Sequence, residues 1–325
     1  EWSAAVTQRH SVNISGGTDD MNYSISAGYL NQDGVALGSG FDRMSIRSNF
    51  DTKVTKWLQV GTNLYYANTK QLNTFSTGSV IATALDQFPD VAPRNPDGTY
   101  AMPQTNSMST YYTNPIFEAN MRENKDNNYS VDYNVFANLT PIKGLSIRIE
   151  YGGNRGWLNN YFFQPGYTYG TTVVTSQSTR TKNMSKYTSF KQYATYDFDP
   201  CKNNHMQVMF GHEAQWGNWE SLAGTRYNYI SDAIHSLNPG DPKTATNSGD
   251  DGTQWSIESY FGRLNYNLLD RYLLTTTLRA DGSSSFGKNN RWGWFPSVAL
   301  AWRISQEKFL KNVKWINNMK LRLGW

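Results

Sequence analysis

The sequence predicts an all-β fold, an antiparallel transmembrane β-barrel segment of about twelve strands. Three observations lead to this prediction. Apolar and polar residues alternate with a period of two over most of the chain, as in residues 21–30, MNYSISAGYL. The alternating stretches are mostly about nine to eleven residues long, as in a tilted strand that crosses a membrane, whereas soluble strands typically have about five or six. Short and long connections between these stretches alternate along the chain.

The alternation places the strands in chain order. In residues 128–139, NYSVDYNVFANL, every second residue from Tyr129 to Leu139 is apolar, and LSIRIEY repeats the pattern from residue 145. The intervening TPIKG predicts a hairpin turn. The same test predicts strands at residues 8–16, 20–30, 42–50, 57–67, 128–139, 145–153, 187–198, 205–214, 255–267, 271–281, 292–303 and 319–325.

The connections between these strands differ in length. GGTD, TKVTK, TPIKG, DPCKNN and NLLD are short, whereas residues 68–127, 154–186 and 216–254 are long. This pattern predicts short periplasmic turns and long extracellular loops.

The two faces of the predicted strands differ in chemistry. The polar face carries charged residues within the strands, as a water-filled lumen permits, and the other face is apolar, as lipid requires. We expect Val298, Leu300 and Trp302 to face lipid. The charged residues are Arg43, Arg47, Arg148, Glu150, Arg263, Arg279 and Arg303, and the aromatic residues that suit interfacial girdles are Tyr29, Trp57, Tyr66, Tyr151, Phe198, Tyr266, Tyr272, Trp292 and Trp302.

Two short helices are predicted between strands. SVIATALDQFP has helical spacing of its apolar residues and is stopped by Pro89. SQEKFLKNVKWI begins with Ser305 as a candidate cap and aligns Phe309, Val313 and Ile316.

Composition excludes several classes of protein. The net charge is +4 and no basic block is present, which argues against a nucleic-acid partner. The single cysteine, Cys201, allows neither a disulfide framework nor a cysteine-based metal site. No apolar run approaches the roughly eighteen residues of a membrane-spanning helix. Because the chain starts without a leader and stops at LRLGW within an alternating run, we interpret it as an internal fragment.

Residues 260–304, YFGRLNYNLLDRYLLTTTLRADGSSSFGKNNRWGWFPSVALAWRI, resemble the signature hairpins of SusC/RagA-type TonB-dependent outer-membrane transporters. Residues 11–66 resemble the early barrel of that family, residues 89–100, PDVAPRNPDGTY, its long-loop motif, and MKLRLGW a later strand. The resemblance implies a barrel of about 22 strands with an N-terminal plug. The remaining strands and the whole plug are then expected outside residues 1–325. It also implies a cell outer-membrane location, a SusD-like surface lipoprotein, TonB coupling through an N-terminal part, and import of oligosaccharides or peptides.

No catalytic constellation is present in the sequence, so we expect neither enzyme activity nor a cofactor. His10, His205, His212 and His235 lack metal-ligand spacing and are interpreted as lumen or loop side chains. The acidic pairs Asp19–Asp20 and Asp250–Asp251 are interpreted as turn residues, with calcium binding as the alternative. NPDGTY suits a tight turn that needs no ligand.

Aromatic residues in the long connections are the candidate substrate contacts. Flat apolar rings with polar edges suit sugar faces or peptide side chains in an outer vestibule. The alternative is that these rings pack the loops on themselves or against a lid protein. The candidates are Trp157, Tyr161, Phe162, Tyr167, Trp216 and Trp219.

The leading hypothesis is a TonB-linked active importer of the Gram-negative outer membrane. A passive outer-membrane porin shares the alternation but has no plug, so the sequence upstream of Glu1 discriminates the two. A soluble glycan-binding β-protein is suggested by the aromatic residues and the mean hydropathy of −0.64, and it predicts solubility without detergent.

Overall fold

The computed structural model describes residues 4–73, 77–87, 92–101, 114–169, 172–310, 313 and 315–325, most of which form one antiparallel sheet. Its strands follow chain order, so the sheet is an antiparallel meander in which each strand pairs with the strands before and after it in the sheet. The strands are β1 (Thr7–Gly17), β2 (Met21–Asp33), β3 (Gly40–Thr55), β4 (Leu58–Leu72), β5 (Glu123–Leu139), β6 (Leu145–Gln164), β7 (Tyr167–Tyr169), β8 (Thr172–Val174), β9 (Gln177–Cys201), β10 (Asn204–Tyr227), β11 (Thr246–Asp250), β12 (Trp255–Leu268), β13 (Tyr272–Ser283), β14 (Trp292–Trp302) and β15 (Leu321–Gly324).

The sheet is an open segment of barrel wall. It contains 13 strands, with β11 paired to the far end of β10, while β7 and β8 form a separate small hairpin. Strands β1 and β15 are its two edges and do not pair with each other among the described residues. Residues 18–20, 56–57, 140–144, 202–203 and 269–271 are the short turns at one end, and the longer connections lie mainly at the other.

Every predicted strand of the main sheet is confirmed, but several are much longer than predicted. Strand β6 continues to Gln164, β9 begins at Gln177, and β10 continues to Tyr227. The prediction of loops at residues 154–186 and 216–254 is therefore wrong for much of these ranges. Strand β9 has 25 residues, more than twice the roughly nine to eleven that span a membrane. The extra length lies at the long-loop end of the sheet.

The helix predictions had mixed success. α1 (Thr77–Asp86) confirms the first helix, although Pro89 itself lies outside the described residues. The second predicted helix is wrong for the described part of residues 305–316, which forms a 3-10 turn at Ile304–Gln306 followed by successive i to i+3 turns. The side chain of Glu307 is bound by β13 and β14, which holds the chain against the sheet end. α2 (Pro115–Met121), capped by Asn114, was not predicted.

Among the described residues, no helix is both long and apolar enough to cross a membrane.

The register divides the sheet into two chemically distinct faces, because directly paired residues of an antiparallel ladder lie on the same face. We call inner the face that carries the paired row Glu150, Lys191, Glu213, Ser259 and Asp281. The opposite, outer face carries the paired row Leu274, Leu300 and Leu323. By the same register the charged residues predicted to line a lumen, apart from Arg303 beyond the end of β14, all lie on the inner face.

Candidate functional site

A ladder of alternating charges crosses the inner face. Glu213 of β10 lies between Lys191 of β9, with Nζ 3.3 Å away, and Arg279 of β13, whose guanidinium is also 3.3 Å away. Arg279 continues the chain to Asp281 at 2.7 Å and to the hydroxyl of Ser259 at 2.9 Å. The Glu213 side chain is only 9% exposed, so its charge is matched within the wall. Each charge of this ladder therefore has an opposite charge beside it, which leaves little free charge for a ligand.

An aromatic platform lies on the same face, closer to the long-loop end. The rings of Tyr187 in β9 and Trp255 in β12 are stacked, with centroids 6.0 Å apart and an angle of 24° between their planes. Both rings flank Gly217 of β10, where an added Cβ would lie 2.9 Å from the indole of Trp255. Two residues further along β10, Trp219 is 43% exposed on the inner face. These rings form a flat surface of the kind that binds sugar faces or apolar side chains.

Amide and hydroxyl groups surround this platform. The Asn154 side-chain amide donates to Asp132 at 2.7 Å, and Ser221 donates to the Asn183 side-chain oxygen at 2.7 Å. Such side chains offer both donors and acceptors, so the site can match the hydroxyl groups of a sugar or the amides of a peptide backbone.

The structure does not bring the predicted aromatic residues together. Trp157, Tyr161 and Phe162 lie in β6, and Trp216 and Trp219 lie in β10, so their assignment to loops is wrong. By register, Trp157, Tyr161 and Trp216 are on the outer face. Phe162 and Trp219 are on the inner face. Their strands were missed because the alternating hydrophobic pattern is lost where both faces of a strand meet water.

Tyr167 packs within the loop region. Its ring meets that of Phe117 edge-on, with centroids 4.9 Å apart, and its hydroxyl accepts a hydrogen bond from Arg122 at 3.3 Å. Phe117 is a buried residue of α2. The alternative interpretation of loop packing therefore describes the contacts of Tyr167 better than substrate binding.

Tyr187 and Trp255 were not among the predicted site residues. Each lies at the start of a predicted strand, next to a long connection. That position was the available sequence signal. It was not sufficient, because an aromatic residue at the long-loop end of a strand can face either lipid or lumen. The face follows only from the strand register.

By register His205 lies on the inner face, but His10 and His212 lie on the outer face, so the prediction that these two are lumen or loop side chains is wrong. Among the described residues, no group of three or more His, Cys, Asp or Glu side chains could hold a metal ion. Asp250 accepts a hydrogen bond from the backbone of Gly252 at 2.8 Å, in a turn, and His235 stacks on Phe163 with centroids 3.9 Å apart. In NPDGTY, the hydroxyl and backbone N–H of Thr99 donate to Asp97 and lower the pKa of that carboxyl. This turn is complete without a ligand.

The sequence matches a family and several known proteins. The family model described as TonB dependent receptor-like, beta-barrel matches residues 71–325. TonB-dependent receptor P3 of Formosa agariphila is 31% identical over 323 residues, which cover 96% of this chain and 32% of that protein. TonB-dependent receptor SusC of Bacteroides thetaiotaomicron is 29% identical over 365 residues, covering 100% of this chain and 34% of SusC.

Solved structures show the same fold. The RagAB peptide transporter superposes with a TM-score of 0.83 at 25% identity, covering 98% of this chain and 36% of the other. The closed-closed state of the RagAB peptide importer gives a TM-score of 0.84 at 24% identity, covering 99% and 36%. The chain thus spans about a third of the length of the relatives it matches.

Proposed function

Because the chain belongs to the TonB-dependent receptor β-barrel family, whose members are outer-membrane proteins, we propose that it forms part of the wall of an active importer of oligosaccharides or peptides. Residues 1–325 then supply a partial barrel, and other parts of the parent protein supply the remaining strands and the plug. The inner face lines the lumen and the outer face contacts lipid.

The aromatic platform is the observation that carries this proposal. Tyr187, Trp255 and Trp219 lie on the inner face, between the long-loop end and the charged ladder. A ligand that enters from the long-loop end meets these rings before it meets the charged ladder. The likeness to the RagAB peptide transporter supports peptides as a class of cargo, and the flat rings of the platform suit sugar faces as well.

We propose two partners on the same basis. A SusD-like surface lipoprotein covers the long-loop end, and the TonB complex supplies energy through the plug-side part of the parent. The loop cluster built around Phe117, Tyr100 and Tyr167 gives that end an ordered surface on which a lid can rest.

A pair of tryptophan substitutions tests the proposal. Trp219 and Trp216 are three residues apart in β10 and are each 43% exposed, but they lie on opposite faces. In the full-length parent, Trp219→Ala is expected to lower the initial uptake rate about fivefold or more, because a lost ring contact costs about 1 to 3 kcal/mol. Trp216→Ala is the matched control and is expected to leave uptake close to that of the parent.

Uptake is measured as accumulation of labelled oligosaccharide or peptide cargo in cells with and without functional TonB. Resistance of the barrel to heat and detergent confirms that both variants are assembled. Equal loss in both variants, or none in Trp219→Ala, would contradict the site, and uptake without TonB would contradict active transport.

A further inference from the structure

The long-loop halves of the central strands separate their charges by face. We call residues 123–134, 152–164, 177–189 and 215–227 of β5, β6, β9 and β10 the mouth region. By register, every lysine and arginine in the mouth region lies on the outer face. These residues are Lys125, Arg155, Arg180, Lys182, Lys186 and Arg226.

The inner face of the mouth region therefore has no cationic side chain. Its only charged residues are Asp126 and Asp132. Asp132 accepts a hydrogen bond from Asn154, and Asp126 accepts hydrogen bonds from Asn160 and Asn73, all at 2.7 Å. The surface around the aromatic platform is thus built from amides, hydroxyls and rings, with a weak negative charge.

We propose that the mouth region selects uncharged oligosaccharides over anionic glycans and peptides. This inference rests on the proposed import function and names the cargo class of the same site. A neutral sugar chain can stack its ring faces on Tyr187 and Trp255 and exchange hydrogen bonds with Asn183 and Ser221.

Anionic cargo lacks a partner on this surface. A uronate, a sulfate or a peptide carboxylate is usually bound by arginine or lysine, and here it would instead approach two aspartates. Desolvating a carboxylate without a cation is costly, so the matched neutral ligand is favoured. The cations of the mouth region cannot compensate, because they lie on the other side of the sheet. Lys186, for example, pairs there with Glu220 at 3.1 Å. The nearest inner-face cation of β9, Lys191, is already paired with Glu213.

Matched probes test this selectivity on the purified full-length parent. The probes are neutral gluco-, galacto- and manno-oligosaccharides, the same oligosaccharides oxidised to uronates at C6, and short acidic peptides. Binding is measured by isothermal titration calorimetry. At least one neutral oligosaccharide is expected to bind, and its oxidised form is expected to bind at least tenfold more weakly.

A charge added to each face supplies the control. Ser185 is exposed on the inner face directly opposite Trp219, and Met184, its neighbour, is on the outer face. Ser185→Lys is expected to improve binding of the oxidised form at least fivefold, and Met184→Lys to leave it unchanged.

The outcomes separate this inference from the import function. Stronger binding of an oxidised oligosaccharide or of an acidic peptide, or no binding of any neutral oligosaccharide, would overturn the selectivity, as would equal effects of the two lysine variants. Neutral binding without TonB-dependent accumulation in cells would reject the import function and leave the selectivity standing. TonB-dependent uptake of peptides, without uptake of neutral oligosaccharides, would overturn the selectivity and leave the import function standing.

Discussion

The ring of Phe261 in β12 covers Gly211 of β10, its direct partner on the inner face. One residue further along each strand, on the outer face, the ring of Phe210 lies against Gly262. Each aromatic ring thus fills the space that a missing side chain leaves on the neighbouring strand. A glycine within a strand weakens the sheet, and the crossed pair compensates for this on both faces.

Gly211→Val is expected to destabilise the full-length parent by about 1 to 3 kcal/mol, because the added side chain would overlap the Phe261 ring. An added Cβ would also lie 2.9 Å from the Cβ of Tyr193. The midpoint of urea unfolding in detergent measures the effect. Gly287→Val is the control, since an added Cβ there meets nothing within 4 Å. A similar loss in both variants would show that the ring contact is not the cause.

Glu213→Ala is expected to lower stability by about 1 to 3 kcal/mol, since it leaves both Lys191 and Arg279 without their shared carboxylate. The matched control is Glu220→Ala on the outer face. Glu220 and Lys186 are each 39% exposed, so this pair is worth about 0 to 1 kcal/mol. Heat-induced loss of folded barrel on a gel reports both. If Glu220→Ala lost as much stability, the prediction that the Glu213 ion pairs stabilise the barrel more than an exposed pair would be wrong.

Leu300→Arg is expected to cost up to about 2 to 4 kcal/mol, depending on its depth, because Leu300 lies on the outer face between Leu274 and Leu323. Ala299→Arg places the same side chain on the inner face and is expected to cost less. Folding yields in lipid bilayers at a series of urea concentrations give the two values. A larger loss for Ala299→Arg would reverse the assignment of lipid and lumen.

Acid is expected to release the connection after β14. The Tyr272 hydroxyl donates to Glu307 at 2.6 Å and the Trp302 indole donates to it at 3.0 Å, and these hydrogen bonds lower the pKa of Glu307 from its ordinary 4.5. A carboxyl whose pKa is lower in the folded state than in the unfolded state stabilises the folded state fully when the pH is above its unfolded-state pKa. The contribution therefore diminishes once the pH falls below about 4.5 and is lost below the folded pKa.

The fluorescence of Trp302, kept as the sole tryptophan of a full-length variant, reports this release during an acid titration. Glu307→Gln is the control and is expected to remove the transition. A transition of the same size and midpoint in Glu307→Gln would assign the pH dependence to another group.

The sequence alone determined the membrane-spanning part of this protein. From Tyr129 to Leu139, or in the opening MNYSISAGYL, one face must be apolar and the other polar, so the period of two reveals both the strand and its faces. The family resemblance rested on residues 260–304, 11–66 and 89–100 and on MKLRLGW, and the family is confirmed by the match over residues 71–325.

Only the tertiary structure decided how far the strands extend and which aromatic rings share a face. Around Trp157 and Trp219 both faces of the sheet meet water, so no hydrophobic period marks the strand, and backbone pairing between neighbours maintains it instead. Tyr187 and Trp255 are far apart in sequence, and their stacking depends on the register of three strands. Register depends on interactions between distant segments, which is why the sequence predicted the wall and the structure located the candidate site.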